Sequence, residues 1–348
     1  MITTFSSSTQ HETPARWVSP CGARSKPLTS GTTFAQVETM DHDSNPILVT
    51  GSHRSGTTWV GRMLASAPGV AYIHEPFNID HRPGILSVPS PRWLMYISRD
   101  NGAEFIPAVN DMLEFRYHAS DELGAVRSPR DVARMARDWS RFRQHARRRD
   151  RPLLKDPLAL MSAEWLSDRF HMDVVVMIRH PAAFASSIKR LGWPGALQDM
   201  LGQPMLMRDV LAPFRTEIEA AVRGVDIIDQ AILEWRIDHY VIGRYRSSRP
   251  DWLFVRHEDI ARDPVPRFRE LFSRLGLRFT DEVRSEIAST ADPSNPAEPA
   301  DPYDIKRNSR SSIATWRDRL TEAEIERVYR GTRDIWPEFY TEEDWAVS

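Results

Sequence analysis

The sequence predicts an α/β fold in three layers, α/β/α, with a central parallel sheet and a phosphate-binding P-loop. Three observations carry this expectation. Short apolar runs suited to buried strands recur at 46–50, 173–178 and 252–255, and each is followed by apolar residues at helical spacing. The first run leads directly into a turn bounded by two glycines, Gly51 and Gly56. Alternating strands and helices imply a parallel sheet covered on both faces, with right-handed crossovers. Ligands in such sheets bind beyond the carboxyl ends of the strands.

The frame around these elements is ordinary. The 348 residues are 41% hydrophobic and 27% charged, with a formal net charge of −2, so no global basic field points to a nucleic-acid or membrane partner. An anion site must be built locally. Only four of the 46 basic residues are lysines, namely Lys26, Lys155, Lys189 and Lys306. The three beyond the first segment lie in or beside stretches read below as anion-binding. Cys21 is the only cysteine, which rules out an internal disulfide and a cysteine-based metal site. No apolar run approaches the ~20 residues needed to span a bilayer, and no secretory signal is visible, so a cytoplasmic enzyme is expected.

In order along the chain, residues 1–44 are rich in Ser, Thr, Pro and Gly without sustained periodicity, and a disordered tail is expected there. Pro46-Ile47-Leu48-Val49-Thr50 reads as a buried strand, and Trp59, Val60, Met63, Leu64 and Ala67 then recur as one face of a helix. The region 80–150 gives weak signals and reads as a helical or loop insertion. Leu153-Leu154 precedes Lys155; Asp173 to Ile178 is a strand buried on both faces. Pro181 sits where a first helical turn tolerates proline, in a helix running to about Leu191. Trp252 to Val255 is a further strand, followed by Phe268, Leu271, Phe272 and Leu275 at helical spacing. Thr321 and Glu324 form a capping-box pair opening a late helix.

The loop itself carries the chemistry. A nucleoside-triphosphatase loop places lysine after its second glycine, to reach the outer phosphates. Gly51 and Gly56 have the right separation, but Thr57 occupies the lysine position and Arg54 supplies a cation inside the loop instead. Backbone amides at the helix start still cradle an anion. The pattern suits a phosphate-type ligand other than a hydrolysed ATP.

Arg54-Ser55-Gly56-Thr57-Thr58-Trp59 resembles the loop of sulfotransferases that use 3′-phosphoadenosine 5′-phosphosulfate (PAPS). The resemblance implies that loop amides, with Arg54, Thr57 and Thr58, hold the 5′-phosphosulfate and that Trp59 lies against the adenine; the alternative for Trp59 is a core position on the helix. A second stretch, Ile178-Arg179-His180-Pro181 to Ser186-Ser187, resembles the family's 3′-phosphate clamp, an arginine at a strand end and a serine eight residues later. Arg179 and Ser187 match it. Leu153-Leu154-Lys155-Asp156-Pro157 stands where cytosolic members carry a lysine-threonine-histidine strand end. Val255 to Ile260 resembles a structural segment. Arg307 and Arg310, in Lys306 to Ser312, resemble the loop that closes on the 3′-phosphate, with solvated loop charge as the alternative. The resemblance runs from about 46 to 340 and implies one sulfotransferase-like domain over 45–348.

What it implies for function is transfer of a sulfuryl group from PAPS to a hydroxyl or amine of a carbohydrate or other small-molecule acceptor. No metal is expected, and the oligomeric state is not readable. Arg54 and Lys155 are the candidates for stabilising the leaving bisphosphate. The histidine base of cytosolic members is replaced by Pro157. His74-Glu75-Pro76-Phe77 resembles the glutamate-proline segment of carbohydrate sulfotransferases, so Glu75 is the expected base, with Asp156 and His74 in reserve. Trp93, Trp193 and Phe214 are candidates for an acceptor wall, although isolated aromatics more often pack the core. Two other classes remain: a P-loop small-molecule or nucleotide kinase, which the missing loop lysine disfavours, and a non-catalytic nucleotide-binding protein.

Overall fold

In a computed structural model, residues 45–193, 195–297 and 304–346 are described. The tail expected at 1–44 lies outside them, with Cys21 and Lys26. Five strands form the sheet: β1 Ile47–Gly51, β2 Val70–His74, β3 Arg151–Lys155, β4 Asp173–Ile178 and β5 Leu253–Arg256. Their order is β2-β3-β1-β4-β5, and every pairing is parallel.

The alternation of side chains along the strands builds two cores. Ile47, Val49, Leu153, Val175 and Met177 face one side, where they pack with helices Thr57–Ala65, Pro264–Arg274 and Asp281–Thr290. Leu48, Leu154, Val174, Val176 and Ile178 face the other side, under helices that include Pro181–Leu191 and Ile227–Ser248. Both faces are therefore apolar, which is why β1 and most of β4 read as continuous apolar runs. The expected α/β/α layering is present.

The insertion is helical. Helices Phe105–Leu113, Ala119–Gly124 and Pro129–Arg148 occupy it. The last is capped by Ser128, whose hydroxyl accepts from the Asp131 amide at 3.3 Å. Of its residues only Phe142 is buried, so its sequence carries little apolar periodicity. The expected capping box at Thr321 and Glu324 opens helix Glu322–Gly331. Among the described residues no helix is long and apolar enough to cross a membrane.

Candidate active site

Because all strands run in parallel, their carboxyl ends line one rim. From one edge it carries Glu75 after β2, Lys155 at the end of β3, the glycine turn after β1, Arg179 after β4 and His257 after β5. A cavity of about 600 Å³ opens on this rim, and Arg54, Thr57, Thr58, Trp59, Glu75, Arg179, Trp193, His257 and Arg307 are among its lining residues.

The turn is shaped by its glycines. Gly51 has φ +130°, and a Cβ there would lie 2.2 Å from the Met177 carbonyl oxygen of β4. Gly56 has φ +91° and precedes the helix Thr57–Ala65; a Cβ on it would lie 2.5 Å from His257 Nδ1. Between them Arg54 takes a left-handed conformation, φ 62°, which a non-glycine residue adopts at a cost of about 1–3 kcal/mol when the surroundings impose it. The turn leads straight into the start of the helix Thr57–Ala65, where unpaired backbone amides favour an anion.

Two motifs far apart in sequence meet here. The Arg54 Nε donates to the Ser187 hydroxyl at 3.1 Å, and the Arg179 guanidinium donates to the Arg54 carbonyl. Arg307 lines the same cavity; its backbone amide donates to the Thr290 carbonyl at 3.0 Å and its guanidinium to the Asp304 carbonyl at 2.8 Å. Burial lowers the Arg179 pKa, with Arg190 adding to it and Glu258 and Tyr340 opposing. Burial, with Arg179 and Arg190 nearby, brings Arg307 down to about 10. Arg319 is brought to about 10 by burial, Arg190 and Arg179, and its guanidinium donates to the Ser186 hydroxyl at 3.3 Å. Four arginines that repel one another are held together, an arrangement that a polyanion relieves. Buried polar atoms without a protein partner among the described residues include Ser55 Oγ, Arg179 Nε and both ring nitrogens of His257. The Ser55 hydroxyl, the Arg179 N–H and one N–H of the neutral His257 ring are donors suited to phosphate oxygens.

Trp59 is buried and 7% exposed. Its indole N–H donates to the Thr290 hydroxyl at 3.0 Å, and its ring meets Phe268 edge-on at 5.3 Å. It still lines the cavity, so it is both core and wall. Arg310 lies elsewhere: its guanidinium donates to the Arg262 carbonyl at 2.9 Å, and it does not line the cavity. Lys189 is likewise occupied, pairing with Glu324 at 2.8 Å.

Glu75 and Lys155 form a buried ion pair at the other end of the rim. The register that sets His74 beside Lys155 brings them together, and the Glu75 amide continues the ladder to the Lys155 carbonyl at 2.9 Å. Glu75 is also left-handed, at φ 43°, and its second carboxylate oxygen accepts from Asn78 Nδ2 at 3.2 Å. Burial raises its pKa, but the Lys155 charge and hydrogen bond, with smaller help from His74 and Asn78, outweigh that and hold it below the usual value. Lys155 is itself lowered by burial, against the opposing pull of Glu75.

The two reserve bases are not placed on the cavity. Asp156 is wholly buried, and its carboxylate accepts from the Phe77 amide at 2.7 Å and the Leu158 amide at 2.9 Å. It fixes the turn that presents Glu75. Burial raises its pKa to about 7, with Glu75 adding to this and the two amides and Lys155 opposing. His74 points to a separate cavity and its ring stacks on Tyr72 at 6.0 Å. Of the aromatic candidates, Trp93 and Trp193 line the main cavity, and the Arg54 guanidinium sits 5.4 Å over the Trp193 ring. Phe214 does not: it is core, packed against Tyr240 at 5.2 Å.

Sequence reading missed several members. Arg190 lies one helical turn after Ser187, and that spacing was a usable signal. Arg319, and the acidic residues Asp199 and Glu234 of the cavity wall, come from segments whose approach no local pattern announces. Among the described residues no group of three or more His, Cys, Asp and Glu side chains is placed to hold a metal ion.

A family model described as "Sulfotransferase family" matches residues 46–281. No curated protein sequence matches the chain. Solved structures similar to it include the sulfotransferase domain of an olefin synthase from Synechococcus PCC 7002, at 19% identity, 86% of this chain, 96% of that one and a TM-score of 0.42. Sulfotransferase STF9 from Mycobacterium avium is 14% identical over 85% of this chain and 77% of its own, with a TM-score of 0.40. Mouse sulfotransferase SULT7A1, solved with PAP, is 13% identical over 87% and 88%, with a TM-score of 0.44.

Proposed function

The chain belongs to the sulfotransferase family, and from that premise we propose that it transfers a sulfuryl group from PAPS to a hydroxyl or amine of a small-molecule acceptor. The observation that carries the reading is the meeting of Arg179, Arg54 and Ser187 at one turn. The loop amides with Arg54, Thr57 and Thr58 take the 5′-phosphosulfate. Arg179, Ser187 and Arg307, with Arg190 and Arg319 close by, take the 3′-phosphate, and Trp59 forms the wall beside the base.

In the transfer, the bond from sulfur to the bridging oxygen breaks as the bond to the acceptor oxygen or nitrogen forms. The acceptor proton passes to Glu75, and the leaving bisphosphate keeps the bridging oxygen. Negative charge grows at that oxygen, where Arg54 and Lys155 stabilise it. Lys155 has a second task. While it pairs with Glu75 the carboxylate is a weak base; as the ammonium turns to the bridging oxygen, Glu75 loses its counter-ion and its proton affinity rises. One cation thereby couples donor binding to base strength.

The test is a thermal-shift comparison followed by turnover. Adenosine 3′,5′-bisphosphate is expected to stabilise the protein without magnesium, ATP to fall short of it, and Glu75→Gln to lower consumption of PAPS by ~10²-fold. A larger shift with MgATP overturns the reading in favour of a kinase. Bisphosphate binding with no turnover of PAPS by any acceptor leaves a binding protein.

A further inference from the structure

The cavity lining carries both signs of charge. Its cations include Arg54, Arg179 and Arg307. Its carboxylates are Glu75 and Asp80 after β2, Asp199 from the segment beyond helix Pro181–Leu191, and Glu234 from helix Ile227–Ser248. Lys155 neutralises Glu75. Among the described residues no lysine pairs with the other three. Asp199 faces Arg92 at 3.9 Å, a pair whose side chains are 30% and 42% exposed, so a ligand can displace the guanidinium at little cost.

Glu234 is the telling member. It lines the cavity yet is 1% exposed. One carboxylate oxygen accepts from the Ala196 amide at 2.8 Å; the other, Oε2, has no hydrogen-bond partner among the described residues. Asp238, one helical turn on, is equally buried with neither carboxylate oxygen paired. His53 stands 3.9 Å from both, beyond hydrogen-bond reach, and burial and Arg54 lower its pKa to about 4, so it offers no positive charge near neutrality. A buried carboxylate with a free oxygen at a ligand cavity costs stability unless something donates to it. Trp93 and Trp193 stand on the same wall, and aromatic faces attract cations.

Resting on the sulfotransferase reading, we infer that the acceptor is a basic small molecule, whose protonated amine is held by Glu234 with Asp199 and Asp80 while its hydroxyl faces Glu75. The ammonium site and the transfer site are separate. Acceptors of neutral or acidic character meet the same wall without a partner for it, and the wall rejects the acidic ones outright through like charge.

Three phenols with one skeleton test this: tyramine, 4-hydroxyphenylethanol and 4-hydroxyphenylacetate, cation, neutral and anion at the chain end. The full chain is assayed with labelled PAPS at pH 8, above the value of about 7 to which burial raises Glu234. The expected ranking of kcat/KM is tyramine over the alcohol by at least ~10-fold, with the acid last, the range a hydrogen bond to a charged group supports. Glu234→Gln should erase most of tyramine's advantage over the alcohol, acting on KM more than kcat. Asp199→Asn, at a partly exposed position, should lower it by ~2–5-fold. Equal use of the three phenols, a reversed ranking, or a tyramine advantage that survives Glu234→Gln overturns the inference. If the phosphosulfate is not consumed with any phenol, the ranking is read from thermal shifts of the three on the bisphosphate-bound protein, and failure of tyramine to lead there overturns it as well. Failure of the bisphosphate to bind would instead sink the sulfotransferase reading, on a separate measurement.

Discussion

Replacing Lys155 by Met removes a wholly buried ammonium and keeps its aliphatic stem, which packs close to Gly61. What it leaves is a carboxylate, Glu75, whose side chain is only 21% exposed and has lost its counter-ion. Contact-distance unit charges interact by ~4 kcal/mol at an effective dielectric of about 20, and deleting one partner of a buried pair costs ~3–5 kcal/mol. The partial exposure of Glu75 places the expected loss near the lower figure, ~3 kcal/mol at pH 7. The sign of the pH dependence is the sharper prediction. In the wild type Glu75 is held below its ordinary 4.5, so its contribution is present above that pH and vanishes as pH falls through the lower folded value. In Lys155→Met burial acts with little opposition and the folded value rises above 4.5. The contribution then inverts: stability falls as pH climbs from 4.5 towards the new value. Asp156 also feels Lys155, so the share of Glu75 is isolated with a double-mutant cycle. Urea unfolding of the wild type, Lys155→Met, Glu75→Gln and the double variant from pH 4 to 8 gives the coupling energy. It should be largest near pH 7 and shrink steadily towards pH 4. A coupling below ~0.5 kcal/mol at pH 7, the level of an exposed pair, or one that does not change with pH, refutes the reasoning.

Arg179→Ala should weaken adenosine 3′,5′-bisphosphate binding by ~10–150-fold, the range for a lost hydrogen bond to a charged group, whereas Ser187→Ala should cost only ~3–10-fold; isothermal calorimetry checks both. Raising salt from 50 to 500 mM should weaken the wild-type affinity and narrow the gap to Arg179→Ala, because charge is what that variant loses. Gly51→Ala puts a Cβ 2.2 Å from the Met177 carbonyl at φ +130°, and denaturant unfolding should record a loss of ~2 kcal/mol or more. An unchanged midpoint for Gly51→Ala would mean that the turn relaxes without disturbing β4.

The sheet was largely legible because its central strands are buried on both faces: the apolar runs at 46–50 and 173–178 are short and rich in Ile and Val, as buried strands are. Strand β2 was less so. Its five residues include Tyr72 and His74, which alternate with the buried Ala71 and Ile73, and that is too short a pattern to announce a strand. The long helix Pro129–Arg148 escaped because just one of its residues, Phe142, is buried. In the site, glycine spacing and the arginine-to-serine interval were readable because each lies within one turn or one strand-helix junction. The Glu75–Lys155 pair was not, since it depends on β2 lying next to β3 and joins residues 80 positions apart. The same holds for Arg319 reaching Ser186, 133 residues away. Asp156 shows the opposite failure: a carboxylate in the right neighbourhood, spent on backbone amides.

Thr290 is a small residue with a wide reach. Its hydroxyl takes the Trp59 N–H and gives its own proton to the Ile287 carbonyl at 2.9 Å, and its carbonyl holds the Arg307 amide. The wall assigned to the purine and the strap bearing a phosphate-side guanidinium are thus clasped by one residue, so neither can shift alone. Slowed deuterium uptake at the Arg307 amide on nucleotide addition would register occupancy at Trp59, making this clasp a remote reporter of a filled pocket.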